Sequence, residues 1–478
     1  MNGTKQLTPK LLATIIACTG TASQASNLTL YSDFAVVQDN ITLNLKTGEN
    51  AVAFQDITRH LEPSSVMLST GQTGWNLIIK EQNYQGSPLD QVRLLQQYEG
   101  QEIEFIVRYD DHQTIKRGKI IRAPESGGMQ ADPMDAIVEW DGKVNFGLPG
   151  TPLFPPIKDQ SVLKPQLDWQ LFSSKSGKAD ASLSYITRGF GWDAAYNFIE
   201  RSDTKLDAAG WMTIRNYSGK DFEKSNLKLV AGEVNKLAEG RDMSGQYRMK
   251  MAVAESMPAV TEKSIDEFHM YTVPYPVDLQ AGQTKQIQFL SGQNISYQTE
   301  LVYDGANLPY NFNSEYIRTQ RDFGARGNDA VNIYKVFENS AKNGLGKPLP
   351  SGRIRFYEQD DDGSLIFTGE NRIDHTAREE TVKVFTGSAF DVKGERKQTE
   401  FTVHSSQRQA RETFKITLTN RKAESVSVKV VEHLYRGPEY NISSQTKWQQ
   451  DDAGTISTEV SIPANSTSVM TYTVDYSW

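Results

Sequence analysis

The residues best equipped for chemistry lie between Arg372 and Thr376, where Asp374 and His375 are adjacent, with Glu379 and Glu380 just beyond and Glu395, Arg396 and Lys397 on the next segment. A carboxylate beside an imidazole is the minimal equipment for acid–base work near neutral pH. Asp374 and His375 are therefore the speculative acid–base candidates, and Arg372, Glu395, Arg396 and Lys397 form a speculative polar cluster with them. Neighbouring residues on a strand point to opposite faces, so both candidates enter one cleft only if a turn intervenes. Hydrogen bonds that stitch a loop to a sheet account for the same residues without chemistry. That is the expected role of His375, and no catalytic residue is assigned.

Other chemistries find weaker support. The chain contains no Gly-x-Ser-x-Gly elbow for a serine nucleophile. Its six histidines, at 60, 112, 269, 375, 404 and 433, are scattered singly, which excludes the paired-histidine helix of a metalloprotease. Glu267 and His269 share one strand face and could be two metal ligands, but a solvated polar face is much the better explanation. Gly344-Leu345-Gly346 is followed by Pro348 and a strand-like Arg353–Tyr357 run, so the helix that a phosphate loop needs is missing. Asp360-Asp361-Asp362-Gly363 has the spacing of a calcium-loop opening. Counted from Glu358, however, the twelfth position is Gly369 rather than a bidentate glutamate, and a hairpin turn accounts for the glycine. No metal and no cofactor are expected.

The elements that must position these residues are mostly strands. Ile103, Phe105, Val107 and Tyr109 alternate with charged residues and pair, through a turn at Asp110–Gln113, with Thr114–Arg122. A second hairpin spans 136–146 around Asp141-Gly142. One short helix is expected near 88–99, capped by Ser87, started by Pro88 and ended by Gly100. The Pro- and Gly-rich run 147–156 reads as a connector. Strand patterns resume near Leu167, and 233–265 is polar without strand alternation. Near the end, Phe414, Ile416 and Leu418 alternate, as do Val426, Val428 and Val430. Glu432 falls on the latter apolar face.

The fold class that follows is mainly β: multidomain antiparallel β-sandwiches with a small β-barrel-like N-terminal module and few helices. The expected segments are a signal peptide at 1–25, an N-terminal β module at 26–150, a central sandwich region at 157–403 with an insertion at 233–265, and C-terminal sandwich strands at 404–478. Tyr472, Val474 and Tyr476 share one face of the final strand and are expected to fill a sandwich core. An outer-membrane barrel is the competing reading of that strand.

Lys5 and Lys10 precede an apolar run at 11–17, and Ser23-Gln24-Ala25 offers small residues for signal peptidase, so export with cleavage after Ala25 is expected. The run is too short to span a bilayer. Ile15-Ile16-Ala17-Cys18 also resembles a lipobox, which leaves lipidation of Cys18 open. With a single cysteine no internal disulfide can form, so stability rests on core burial. Across 478 residues, 59 acidic against 51 basic side chains give a formal charge of −8, which argues against a general nucleic-acid binder.

The runs Leu183–Trp192, Gly210-Trp211, Asn216–Gly219, Leu345–Arg353, Ile373–Thr376 and Ala389–Gln398 together resemble the conserved proteins of domain of unknown function 4139. The resemblance implies an exported bacterial β-rich protein, and distant relatives carry a mucoidy-inhibitor label that points to the cell envelope. No catalytic residue transfers with it. The expectation is thus an exported binding or scaffolding protein of the periplasm or cell surface, whose partner is an unidentified envelope component. It should have no nucleic-acid partner and no transmembrane helix in the mature chain. The alternatives are a periplasmic hydrolase acting on polysaccharide or peptide, and an outer-membrane β-barrel.

Overall fold

The computed structural model describes residues 16–17, 25–86, 91–109, 112–124, 135–156, 164–232, 236, 261–265, 268–308 and 313–478. Cys18, Ser87, Pro88, Glu267, most of the expected signal and most of the 233–265 insertion lie outside them. Strands dominate, and the α-helices among the described residues are α1 (Gln91–Gln97) and α2 (Ser314–Thr319). No helix among these residues is long and apolar enough to cross a membrane. The chain divides into two compact units. The first runs to Trp192 and adds Ile214–Val230 and Tyr271–Lys285; the second comprises Asp193–Thr213, Ala231–Met270 and Gln286–Trp478.

In the first unit, Phe34–Leu45 pairs antiparallel with Asn27–Leu30 and with Gly177–Arg188, and period-2 alternation buries Leu28, Val37, Leu43, Leu183 and Tyr185. Gln166–Ser173 pairs with both Gly48–Phe54 and Leu77–Gln85, so the 147–156 connector joins elements of one unit. The chain between Leu77–Gln85 and Gln166–Ser173 forms a separate five-stranded sheet containing both expected hairpins. Asp141 and Gly142 adopt the positive φ of its tight turn. Its own core joins Leu95 of α1 to Ile103, Phe105, Val107, Ile120 and Val138. Tyr109 departs from the expected face and is exposed, because the strand ends at Arg108. The connector is also more than a link: Thr151–Leu153 adds an edge strand to Glu102–Arg108, where Pro152 is tolerated because its missing donor faces away from the ladder.

In the sheet that supplies most strands of the second unit, hydrogen-bonded neighbours run Leu365–Ile373, Gly352–Gln359, Phe190–Ser202, Lys205–Asn216, Thr284–Asp304, Ala330–Glu338, Thr381–His404, Gln409–Asn420, Thr467–Ser477 and Glu439–Ser444. Thr381–His404 serves two neighbours in succession, Ala330–Glu338 through its first half and Gln409–Asn420 through its second. His404, where the sequence suggested a boundary, is the tip of that second hairpin. Val426–His433 and Thr455–Ile462 complete a core built on Val428, Val430, Phe414, Ile416, Tyr472, Val474 and Tyr476. The expected inward face of the last strand is therefore buried. The sheets are not purely antiparallel: Phe190–Ser202 runs parallel to Gly352–Gln359, and Thr284–Asp304 parallel to Val426–His433. Thr261–Ile265, at the end of the expected insertion, is a strand.

Candidate functional site

The Leu365–Ile373 strand buries Ile373 and then stops, so Asp374 and His375 follow it in a turn with both side chains exposed. The Ser351 backbone N–H donates to His375 Nδ1 at 3.2 Å, and Ser351 Oγ lies 3.3 Å from Nε2. Reciprocal Leu349–Thr376 backbone bonds of 2.9 Å fix the turn beside them. The chain thus does turn after the strand, but it leaves the acid–base candidates on an open surface. Arg372 is exposed opposite Arg353. Glu395 and Lys397 point to solvent while Arg396, between them on the same strand, points inward and is 4% exposed. The expected polar cluster therefore does not assemble, because strand alternation sends its members to opposite faces.

Arg396 instead joins a buried ionic network. Its Nε donates to both oxygens of Glu432 at 2.9 Å, Tyr472 Oη donates to Glu432 Oε2 at 2.6 Å, and the guanidinium lies 3.7 Å from the centre of the Phe414 ring. Arg436 and Glu412 form a second pair at 2.6 Å, and the side chains of both pairs are 0% exposed. The two arginines also hold the segment after α2: Arg396 Nη1 donates to Gly324 O, and Arg436 donates to the carbonyls of Ile317, Gln320 and Phe323. Burial disfavours the Arg396 charge, but the Glu432 carboxylate together with Tyr472 and Tyr435 outweighs it and holds the guanidinium protonated. Burial, with Glu432 next to it, pushes the Tyr472 hydroxyl well up. These charges are neutralised pairwise and closed to solvent, an arrangement that fixes packing rather than turning over a substrate.

A second cluster was not foreseen from sequence. Glu200 ends the inward face of Phe190–Ser202, where its Oε2 accepts from Tyr297 Oη at 2.5 Å and from Lys335 Nζ at 2.7 Å. Burial and then the Glu200 bond raise the Tyr297 hydroxyl. Alternation carries the signal, since Ala194, Tyr196, Phe198 and Glu200 share one face. His269 Nδ1 lies 2.8 Å from Glu262, which also receives Arg378 at 2.6 Å. The Asp360–Gly363 segment is the hairpin turn expected, with Gly363 at φ +84° and Asp362 accepting from the Ser364 N–H. Among the described residues no group of three or more His, Cys, Asp or Glu side chains is placed to hold a metal ion.

A groove of about 700 Å³ lies on the exposed face of four adjacent strands. Cross-strand register sets its floor in two rows. Thr402, Arg411, Asp475 and Asn441 stand opposite one another in the first, and His404, Gln409, Ser477 and Glu439 in the second. The opposite face of the same strands carries Ala410, Tyr476 and Val474 into the core. Arg411 pairs with Asp475 at 2.7 Å, and Ser477 Oγ donates to Glu439 at 3.2 Å. The floor offers amide, hydroxyl, imidazole and guanidinium groups together, with its central carboxylate already neutralised. No motif announced it, because it depends on register between segments up to 75 residues apart, such as Thr402 and Ser477.

Residues 181–478, more than half of the chain, match the family described as Domain of unknown function (DUF4139), and the chain belongs to that family. Among curated proteins no match is found.

Proposed function

We propose that this DUF4139 member is an exported bacterial envelope protein that works by binding or scaffolding, and that the groove over Arg411, Asn441 and Asp475 is its contact surface. The observation that carries this reading is the groove itself: its volume falls in the range of about 300–1,000 Å³ typical of ligand sites, and four strands of a rigid sheet fix its polar floor. A polar lining whose Asp475 carboxylate is paired with Arg411 and whose Glu439 accepts from Ser477 suits a hydroxyl-rich envelope component. The basic and apolar residues at the start of the sequence support export. Hydrolysis is less well supported, since Asp374 and His375 are exposed on an open surface. Hydrogen exchange with and without envelope polysaccharide or peptidoglycan fragments tests the assignment. Slowed exchange confined to 402–411, 439–441 and 475–477 is expected; unchanged exchange at those strand ends would overturn it.

A further inference from the structure

Ser26 is the point where the chain passes from surface to interior. Ala25 is exposed, whereas Ser26 is 4% exposed, and its carbonyl accepts from the Asn226 N–H at 2.9 Å. Its hydroxyl donates to Asp39 Oδ1 at 2.5 Å. The other oxygen of Asp39 takes the Lys220 ammonium at 2.9 Å, and that ammonium also reaches the Asp56 carboxylate at 3.1 Å. Two carboxylates thus share one lysine, and Asp39 and Lys220 are both largely buried. Tyr185 lies on the same face beside Asp39 with its hydroxyl buried near Thr58. Asp39 divides its carboxylate between Ser26 and Lys220, while the Asp56 side chain is 61% exposed and solvated.

Resting on the export reading, with cleavage between Ala25 and Ser26, we propose that the α-ammonium released at Ser26 becomes a second cation beside Asp39, on the carboxylate oxygen that Lys220 does not hold, and that it locks the first strand of the mature chain against Asp39. Signal peptidase hydrolysis breaks the Ala25 C–Ser26 N bond; water supplies OH to the Ala25 carbonyl carbon and H to the Ser26 nitrogen, which takes one further proton from solvent at neutral pH. A serine nitrogen lies about 3 Å from its own hydroxyl oxygen, so the Ser26–Asp39 bond holds the new ammonium within about 5–6 Å of the carboxylate, close enough for strong charge attraction. The uncleaved chain presents a neutral peptide nitrogen there instead. Among the described residues, Asp39, Asp56, Lys220 and Tyr185 are charged and titratable groups of this cluster. Burial keeps the Tyr185 hydroxyl well above its ordinary range and therefore neutral.

The test compares the chain beginning at Ser26, released from a removable N-terminal fusion, with the chain retaining Ala25. Near pH 7 the Ser26 chain should melt about 3 °C higher. The gap should close above about pH 9 as the ammonium deprotonates, because a cation stabilised by a partner contributes only while protonated. Asp39→Asn should abolish the gap. Acylation of the Ser26 amine should also run about tenfold slower than in a Ser-Asn-Leu peptide, a readout that survives if the Asp39 variant fails to fold. Equal melting near pH 7, a gap independent of pH, or peptide-like acylation would overturn the proposal. N-terminal sequencing of the protein from its own cells separates the two levels: a start other than Ser26 defeats the processing premise, while the melting comparison judges the site.

Discussion

Removing the Glu432 carboxylate would leave the Arg396 guanidinium uncompensated between Phe414 and Tyr472. Glu432→Ala is therefore expected to lower unfolding free energy by about 3–5 kcal/mol, whereas Arg396→Met with Glu432→Leu should recover most of the loss, both read from urea unfolding curves. His375→Ala should cost under about 1 kcal/mol, since its contacts to Ser351 are solvent-exposed. His433 sits 3.0 Å from Asp304, whose hydrogen bond raises the imidazole above its ordinary range. A raised folded-state value means stabilisation that is fully present below about pH 6.5 and lost as pH rises through the folded value. Melting temperatures across that window should fall more in the parent than in Asp304→Asn. Glu432 shows how far residue-level reading reaches: alternation from Val426 placed it on an apolar face, but its partner Arg396 lies on another segment and was grouped with Asp374 on sequence proximity alone.

At the scale of elements, hairpins were legible because their signals are local. The Glu102–Arg108 and Ile137–Trp140 strands carry alternation and turn residues within a short window. The 24-residue Thr381–His404 strand was not legible, since pairing with two different neighbours is a property of register. Gly394 in that strand lies against the fully buried Tyr303 ring, and a Cβ there would collide with it. Gly394→Ala should thus destabilise by about 1–3 kcal/mol, checked by the shift in denaturation midpoint. The parallel pairings and the edge strand at Thr151–Leu153 escaped notice for the same reason, because no local pattern distinguishes a parallel partner or a connector that zips onto a sheet.

For the whole molecule, the β class and the family followed from sequence, while the groove emerged only when four strand ends met. The inward burial of Tyr472, Val474 and Tyr476 predicts that the chain from Ser26 onward is soluble and monodisperse in detergent-free buffer. Material requiring detergent-assisted refolding, with heat-modifiable electrophoretic mobility, would point to a barrel instead. The central claim is that the polar groove binds an envelope component, and calorimetric titration with envelope polysaccharide and peptidoglycan fragments tests it most directly when the parent is compared with the Arg411→Ala, Asn441→Ala double variant. The prediction is saturable binding by the parent, weakened at least about tenfold in the variant at unchanged melting temperature. Equal affinity of the two chains, or binding by neither, would contradict it.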